Sequence, residues 1–196
     1  MQKKKFVLVA APPACGKTYA SELIAKNLGH TVYLDKDDLA DLVCTSFKVA
    51  GEEFDMDGDF YINNIRTPEY STILNIAFSA LRFEDTVILN APFGKEVRDS
   101  EYMRTLKNKV NDMDAELVLI WVSAPLDICR ERMAKRGYDR DALKLENWES
   151  YVKKINYSAP VSLEKEKCVD RMMIFDTTND ESVSDSLNKA LELIKD

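Results

Sequence analysis

Hydrophobic residues alternate along the chain between two patterns. Short, nearly continuous apolar runs are typical of strands buried on both faces, and they occur at "KFVLVAA", "TVYLD", "DTVILNA", "AELVLIWVS" and "RMMIFD". Between these runs the pattern of apolar and polar residues predicts helices near residues 17–28, 69–82, 97–111, 126–136 and 147–156. Strands that alternate with helices predict a parallel sheet with helices on both faces, an α/β sandwich.

The last helix has a recognisable start signal. In "TNDE", Thr178 stands three residues before Glu181, which is the spacing of a capping box. The apolar residues that follow share one helical face: Val183, Leu187, Leu191 and Ile194. We therefore predict an amphipathic helix that begins just after Thr178.

One connection is much longer than the others. The second strand ends near Asp35 and the third begins near Thr86, whereas a minimal crossover needs about a dozen residues. Extra residues at the carboxyl edge of a parallel sheet are well placed to cover a substrate. We predict that residues 36–85 are a substrate-side insertion within one domain spanning residues 1–196.

Length and composition limit the class of protein. A chain of 196 residues, 45% of them hydrophobic, suits one globular domain. Its longest apolar runs are strand-length, whereas roughly 20 apolar residues are needed to span a bilayer. The basic N-terminus leads into a very short apolar run and then a loop motif, so we expect neither a signal peptide nor membrane association.

Cysteine spacing and charge narrow the class further. The four cysteines are far apart and form no C-x-x-C pair, which argues against a zinc site and a disulfide framework. We therefore expect a reduced, cytoplasmic protein. The net charge of −7 argues against general affinity for a nucleic-acid backbone, although a local basic cleft is compatible with it. The oligomeric state stays open.

A nucleotide-binding motif lies between the first strand and the first helix. The stretch "AAPPACGKTYA", residues 10–20, ends like the phosphate loop G-x-x-x-x-G-K-[ST], with Ala11 in place of the first glycine. The amides that hold phosphate cluster in the second half of such a loop, beyond the two prolines. We predict that Lys17 reaches the β- and γ-phosphates and that Thr18 binds Mg²⁺. The predicted nucleotide contacts here are Ala14, Cys15, Gly16, Lys17, Thr18 and Tyr19.

The side chain of Cys15 has two interpretations. A thiol among donating amides can have a lowered pKa and react with oxidants. The sequence favours the alternative, a small side chain that fills space in the loop.

Three segments together resemble a known family. "APPACGKT", "YLDKDDL" and "VSAPLDICRERMAKRGYDRD" are similar to segments of small P-loop kinases of metabolites, such as shikimate kinase, gluconate kinase and the chloramphenicol or zeta-toxin phosphotransferases. The element order of nearly the whole chain agrees with this resemblance. It implies five parallel strands in the order 2-3-1-4-5.

An acidic cluster follows the second strand. Asp35 and Asp37 stand two residues apart where that strand ends, and phosphoryl transfer needs carboxylates beside the metal and the acceptor hydroxyl. The resemblance to shikimate kinase implies that Asp35 faces Mg²⁺ and Asp37 faces the acceptor hydroxyl. Asp38 better suits the start of a helix, where it interacts with the helix dipole. The alternative is that all three aspartates simply begin a helix.

The third strand ends in an amide rather than an acid. A Walker B strand would end in aspartate, but this one ends in Asn90. An amide can orient water and carries no charge to offset Mg²⁺. We therefore expect either that the metal depends on Asp35 and Asp37 or that metal binding is weakened.

An arginine-rich segment follows the fourth strand. Arg132 and Arg136 are four residues apart and share a helical face, and Gly137 is expected to end that helix. Residues 137–146, with Arg140, resemble the mobile lid of metabolite kinases, whose arginines stabilise the transferring phosphoryl group. The alternative is a solvated helix in which the arginines pair with Glu131 and Asp139.

The remaining candidates come from two places. Thr177 and Thr178 follow the fifth strand, where such kinases hold the nucleotide base. The acceptor side is expected to draw on the insertion and on the loop after the third strand. Packing or surface charge explains those residues equally well: Arg66, Tyr70, Phe93 and Arg98.

Together these features predict an ATP- and Mg²⁺-dependent phosphotransferase that acts on a hydroxyl of a small molecule. Lys17, Asp37, Arg132 and Arg136 are its predicted catalytic residues, with Arg140 and Thr177 as further nucleotide contacts. The alternative is a nucleotide-binding regulatory protein, or one linked to toxins or RNA, without metabolite kinase activity. A kinase requires Asp37 and Arg136 to converge on the loop of Lys17.

Overall fold

The fold is a three-layer sandwich around one parallel sheet. The computed structural model describes residues 3–195, apart from the side chains at positions 139 and 140. The five strands of the sheet lie in the order β2-β3-β1-β4-β5, which confirms the predicted fold class. Their bounds are β1 (Lys4–Ala10), β2 (Val32–Asp35), β3 (Thr86–Asn90), β4 (Ala115–Ser123) and β5 (Arg171–Asp176).

The helices cover both faces of the sheet. In chain order they are α1 (Lys17–Leu28), α2 (Ala40–Ala50), α3 (Arg66–Leu81), α4 (Ser100–Asn111), α5 (Leu126–Arg136), α6 (Asp139–Glu146), α7 (Trp148–Lys154), α8 (Ser162–Lys165) and α9 (Asp180–Lys195). Within the described residues, none of them combines the length and apolar character that a membrane crossing requires.

The central strand β1 supplies both halves of the core. Its side chains alternate between faces, so Phe6 and Leu8 pack with residues of α3 and α4. Val7 and Val9 pack on the opposite face with residues of α1, α5 and α9. Burial on both faces explains why this strand is an uninterrupted apolar run.

The long connection between β2 and β3 folds partly as a separate unit. Residues 36–39 form a 3₁₀ turn, α2 follows, and Tyr61–Ile65 form a π-helix that leads into α3. A satellite apolar cluster, including Val43, Phe47 and Tyr61, holds α2 against the π-helix. A π-helix is rare and is found frequently at functional sites.

The start of α9 differs from the predicted capping box. The backbone N–H of Ser182 donates to the side chain of Asn179 at 2.9 Å, so Asn179 takes the capping role. The hydroxyl of Thr178 instead donates to Asp176 at 2.5 Å. The prediction that Thr178 caps this helix is wrong, because the Thr178 side chain is hydrogen-bonded to Asp176 at the end of β5.

Candidate active site

The loop between β1 and α1 has the backbone shape of an anion nest. Ala14 and Gly16 both have positive φ values, 64° and 85°. This conformation turns successive N–H groups toward one point, and the start of α1 adds partial positive charge there. A Cβ at Gly16 would lie 3.3 Å from the hydroxyl of Thr177, so any other side chain would be strained in φ and would also press on Thr177.

Asn90 joins the loop to the end of the neighbouring strand. Its side chain is fully buried, and its amide oxygen accepts from Lys17 Nζ at 2.5 Å. Its amide nitrogen donates to Thr18 Oγ1 at 3.2 Å and to Asp35 Oδ2 at 2.5 Å. The register of the sheet makes this possible because Asp35 pairs directly with Asn90 across β2 and β3.

Tyr33 and Ser21 extend this network. Tyr33 OH donates to Asp35 at 3.3 Å and lies 3.1 Å from the hydroxyl of Ser21. Burial raises the pKa of Tyr33 to about 12, so its hydroxyl stays protonated and remains a donor to the Asp35 carboxylate. The sequence prediction missed both residues, although Tyr33 stands two positions before Asp35 and therefore on the same side of the strand.

Lys17 lies in a strongly acidic environment. Burial lowers its pKa, while the carboxylates of Asp35 and Asp37 act in the opposite direction. Both aspartates of the predicted cluster therefore lie close enough to Lys17 to affect its charge. The predicted convergence of Asp37 on the loop stays a prediction.

Thr18 and Asp35 are the residues that could hold a metal ion. Their oxygens both bond to the amide nitrogen of Asn90. Mg²⁺ is usually held by one or two carboxylates together with substrate phosphates, so this sparse oxygen set fits the ion. Residues 3–195 contain no group of three or more acidic, histidine or cysteine side chains that could hold a metal without a nucleotide.

Arg132 binds the loop that follows β5. Its guanidinium donates to the hydroxyl of Thr177 at 2.9 Å and to the carbonyl of Thr177 at 2.5 Å. That hydroxyl donates in turn to the carbonyl of Cys15 at 2.7 Å. Arg132 and Thr177 therefore brace the phosphate loop through the carbonyl of Cys15. The contact of Arg132 with the transferring phosphoryl group and the contact of Thr177 with the nucleotide stay predictions.

Arg136 is engaged with the segment predicted to be the lid. Its Nε lies 2.6 Å from a carboxylate oxygen of Asp141, whose side chain is buried. Asp141 is a partner that the sequence prediction did not name, and the side chain of Asp139, one of the two predicted partners, lies outside the described part of the chain. Residues 139–146 of the predicted lid are helical, as α6. The side chain of Arg140 lies outside the described part of the chain.

The thiol of Cys15 lies beneath the loop. It is buried, and its Sγ is 3.5 Å from Sγ of Cys129 on α5. The hydrogen bond to Cys129, with burial, raises the pKa of Cys15. The interpretation of a thiol with a lowered pKa is therefore wrong, because the Cys15 side chain lies in the core against Cys129.

A buried charged network lies beside Asp37. Lys36 Nζ is 3.1 Å from Asp37 and 2.8 Å from Glu69 on α3, and Lys36 and Glu69 are both buried. The hydroxyl of Tyr61, in the π-helix, donates to the same Glu69 at 2.5 Å. No sequence signal identified this network, because it joins positions far apart along the insertion.

The acceptor-side candidates divide by their partners. Arg66 is paired with Glu96 at 2.7 Å and stacks on Tyr70 at 4.4 Å. Phe93 is fully buried, with its ring edge against Tyr70, as the packing alternative expects.

Arg98 differs from Arg66. Its guanidinium donates to the carbonyls of Asn156 and Ser158, and no carboxylate partner is present among residues 3–195. Burial lowers the pKa of Arg98, and its Nε and the Nε1 of nearby Trp121 are buried without hydrogen-bond partners in this part of the chain.

Comparisons with known proteins agree with this geometry. A family model described as an AAA domain matches residues 7–156. A search of the curated proteins found no match.

Solved structures with a similar fold include several kinases. A sugar kinase from Janibacter sp. HTCC2649 is 14% identical, with a TM-score of 0.58 over 98% of this chain and 95% of its own. Shikimate kinase from Acinetobacter baumannii, in complex with shikimate, is 17% identical, with a TM-score of 0.55 over 99% and 94%. Kti12 from Chaetomium thermophilum, in complex with ADP-AlF3, is 15% identical, with a TM-score of 0.58 over 96% and 98%.

Proposed function

The chain belongs to the AAA domain family and has the fold of the P-loop kinases, and on that premise we propose that it is an ATP- and Mg²⁺-dependent phosphotransferase. It moves the γ-phosphate to a hydroxyl of a small molecule. One observation carries the proposal: Asn90 bonds at once to Lys17, Thr18 and Asp35. A strand-to-helix turn without nucleotide chemistry does not need this cluster.

The proposed binding step exchanges partners within that cluster. Lys17 leaves the amide oxygen of Asn90 and bonds to the β- and γ-phosphates, which also accept from the loop amides. Thr18 and Asp35 would hold Mg²⁺, which would supply positive charge to the transferring group. Asn90 keeps Asp35 oriented through its amide nitrogen.

The proposed transfer step depends on Asp37. Its carboxylate is exposed and pairs with Lys36, so it can orient the acceptor hydroxyl and accept its proton. Transfer is then direct, without a phosphorylated enzyme. The buried Glu69 holds Lys36 in place from the other side.

Two segments are proposed to cover the site. Residues 36–85 form the substrate-side insertion and residues 137–146 the lid. An ion pair supports this proposal because it joins the two segments, with Lys144 of α6 lying 2.9 Å from Asp57. Closure would also bring Arg136 toward the phosphates, and this requires it to release Asp141.

A screen tests the proposal directly. The protein is incubated with ATP·Mg²⁺ and pooled metabolites, and new phosphorylated masses are read by mass spectrometry. We expect a phosphorylated product with the wild-type chain and none with Lys17→Ala. Lys26→Ala is the matched control, because Lys26 lies on the same helix and is exposed. Turnover that survives Lys17→Ala would refute the proposal.

A second candidate is a nucleotide-binding protein without metabolite kinase activity. Two observations favour it: the uncharged Asn90 at the end of β3, and the engagement of Arg136 by Asp141. Kti12, solved in complex with ADP-AlF3, has the same TM-score as the sugar kinase. Nucleotide binding that disappears in Lys17→Ala, with no phosphorylated metabolite in the screen, would select this candidate.

A further inference from the structure

Two thiols meet directly beneath the phosphate loop. Sγ of Cys15 and Sγ of Cys129 are 3.5 Å apart, and both side chains are buried. Cys129 lies in the first half of α5, one turn before Arg132. The other two cysteines, Cys44 and Cys168, contact no second thiol within residues 3–195. The pair therefore joins the candidate nucleotide site to a rigid element of the core.

The position of Cys15 couples its side chain to the backbone conformation of the loop. It stands between Ala14 and Gly16, the two residues with positive φ that form the nest. Its carbonyl is held by the hydroxyl of Thr177 at 2.7 Å. A displacement of its sulfur is therefore transmitted to the amides on either side.

We propose that Cys15 and Cys129 form an oxidative modification site, at which a hydroperoxide converts the pair to a disulfide and lowers the nucleotide affinity of the loop. The effect on affinity rests on the proposed nucleotide binding. The cross-link itself does not, because it depends only on the two sulfurs.

The geometry predicts the direction of the effect. A disulfide bond is about 2.05 Å long, so the sulfurs must approach by about 1.5 Å. Cys129 is fixed in α5, and Arg132 on the same helix is bonded to Thr177. The loop is therefore the part that moves, and binding groups must be held to within about 0.5 Å of their working geometry.

The chemistry of the step is balanced. The hydrogen bond from Cys15 lowers the pKa of Cys129, so the Cys129 sulfur is the nucleophile that attacks the peroxide. The O–O bond breaks, an alcohol or water leaves, and Cys129 becomes a sulfenic acid. The Cys15 sulfur then attacks Cys129 and breaks its S–O bond, which releases water. Two thiols lose two electrons, and the peroxide gains them.

Burial makes the reaction dependent on the state of the loop. Both sulfurs are covered in the structure, so the peroxide reaches them only when the loop opens. A bound nucleotide holds the loop closed. We therefore expect ADP·Mg²⁺ to slow the cross-linking reaction.

The full chain is reduced, treated with hydrogen peroxide, alkylated and digested. We expect mass spectrometry to find a Cys15–Cys129 cross-linked peptide. Calorimetry should show at least a tenfold loss of ADP·Mg²⁺ affinity, which dithiothreitol reverses. Absence of the cross-link, or unchanged affinity of the cross-linked protein, would overturn the proposal.

Single cysteine variants provide the controls. Cys129→Ser and Cys129→Ala should keep their affinity after peroxide, whereas Cys44→Ser and Cys168→Ser should lose it like the wild type. Unfolding midpoints of the reduced variants show whether each one is folded. If the reduced wild type binds no nucleotide, the proposed function is refuted. The cross-linked peptide is detected by mass spectrometry whether or not the protein binds nucleotide, so it tests the oxidation site separately.

Discussion

Asn90 shows how one uncharged residue organises several charged ones. Its amide has both an acceptor and a donor, so it bonds to the Lys17 ammonium and the Asp35 carboxylate at the same time. An aspartate at this position could accept from Lys17 but would face Asp35 with a second negative charge. The acidic group at this edge of the sheet therefore lies at the end of β2, and the end of β3 carries an amide.

Asn90→Asp tests this arrangement. The lost donor and the added repulsion should lower the free energy of unfolding by about 1–3 kcal/mol at neutral pH without metal. Mg²⁺ should raise the unfolding midpoint of this variant more than that of the wild type, because two facing carboxylates attract a cation. Asn90→Ala is the control and should gain no response to Mg²⁺. An equal metal response in Asn90→Asp and the wild type would contradict the explanation.

Asp37→Asn separates binding from transfer. Loss of a general base typically lowers the rate by about 10²–10⁴-fold. We expect this reduction in phosphoryl transfer to the acceptor found in the screen, with little change in ATP affinity measured by calorimetry. Asp38→Asn is the matched control, since Asp38 is an exposed neighbour in the same turn. Equal rates in the two variants would remove Asp37 from its proposed role.

At the scale of elements, one carboxylate fastens α4 to the sheet. Asp170 accepts from Asn111 on α4 at 2.9 Å and from the backbone of Leu117 on β4 at 2.8 Å, and it pairs with Lys107. Burial acts to raise the pKa of Asp170, but these partners outweigh it and hold the pKa below 3.8. The bonds therefore favour the ionised form.

The pH dependence of Asp170→Asn follows from this shift. A carboxylate whose pKa is lower in the folded state stabilises the fold above its unfolded pKa of about 3.9, and this contribution disappears as the pH falls through the folded value. We expect the variant to lose about 1 kcal/mol at neutral pH. The difference from the wild type should vanish in strong acid, as measured by urea unfolding. A constant difference across this range would show that charge is not involved.

The sheet could be predicted from the sequence almost residue by residue. Buried parallel strands are continuous apolar runs, and β4 and β5 were predicted with their observed bounds. Helix α2 was missed because it buries only Val43 and Phe47, and these pack on a satellite cluster rather than on the sheet. Helix α6 was predicted as part of a mobile lid, because Gly137 was expected to end the preceding helix and the segment resembles the lid of metabolite kinases.

The site was predictable where its residues are local in sequence. Lys17 and Thr18 belong to one loop motif, and Asp35 and Asn90 both end strands, so their closeness follows from parallel pairing. The network of Lys36, Glu69 and Tyr61 could not be predicted, because it depends on how the insertion folds back. The hydrogen bonds of Arg132 to Thr177 could not be predicted either, since they join α5 to a loop after β5.

At the scale of the whole molecule, nucleotide binding should be visible as thermal stabilisation. A ligand at 100 times its Kd adds about 2.7 kcal/mol, and a domain of this size shifts by about 2–4 °C per kcal/mol. We expect ADP·Mg²⁺ to raise the unfolding midpoint by about 5–11 °C, measured by scanning calorimetry. Lys17→Ala should show almost no shift, while Lys26→Ala should behave as the wild type. A shift that persists in Lys17→Ala would place the nucleotide elsewhere.

The strand order has a consequence for how the protein is made. β1 leaves the ribosome before both of its sheet neighbours, because β3 begins only at Thr86 and β4 only at Ala115. The brace at Thr177 is synthesised later still, on the order of ten seconds after the loop at usual elongation rates. Until β3 is synthesised, the apolar strand β1 has no partner in the sheet, so the nascent chain depends on protection from aggregation. The loop is thus synthesised long before the residue that completes its hydrogen bonding.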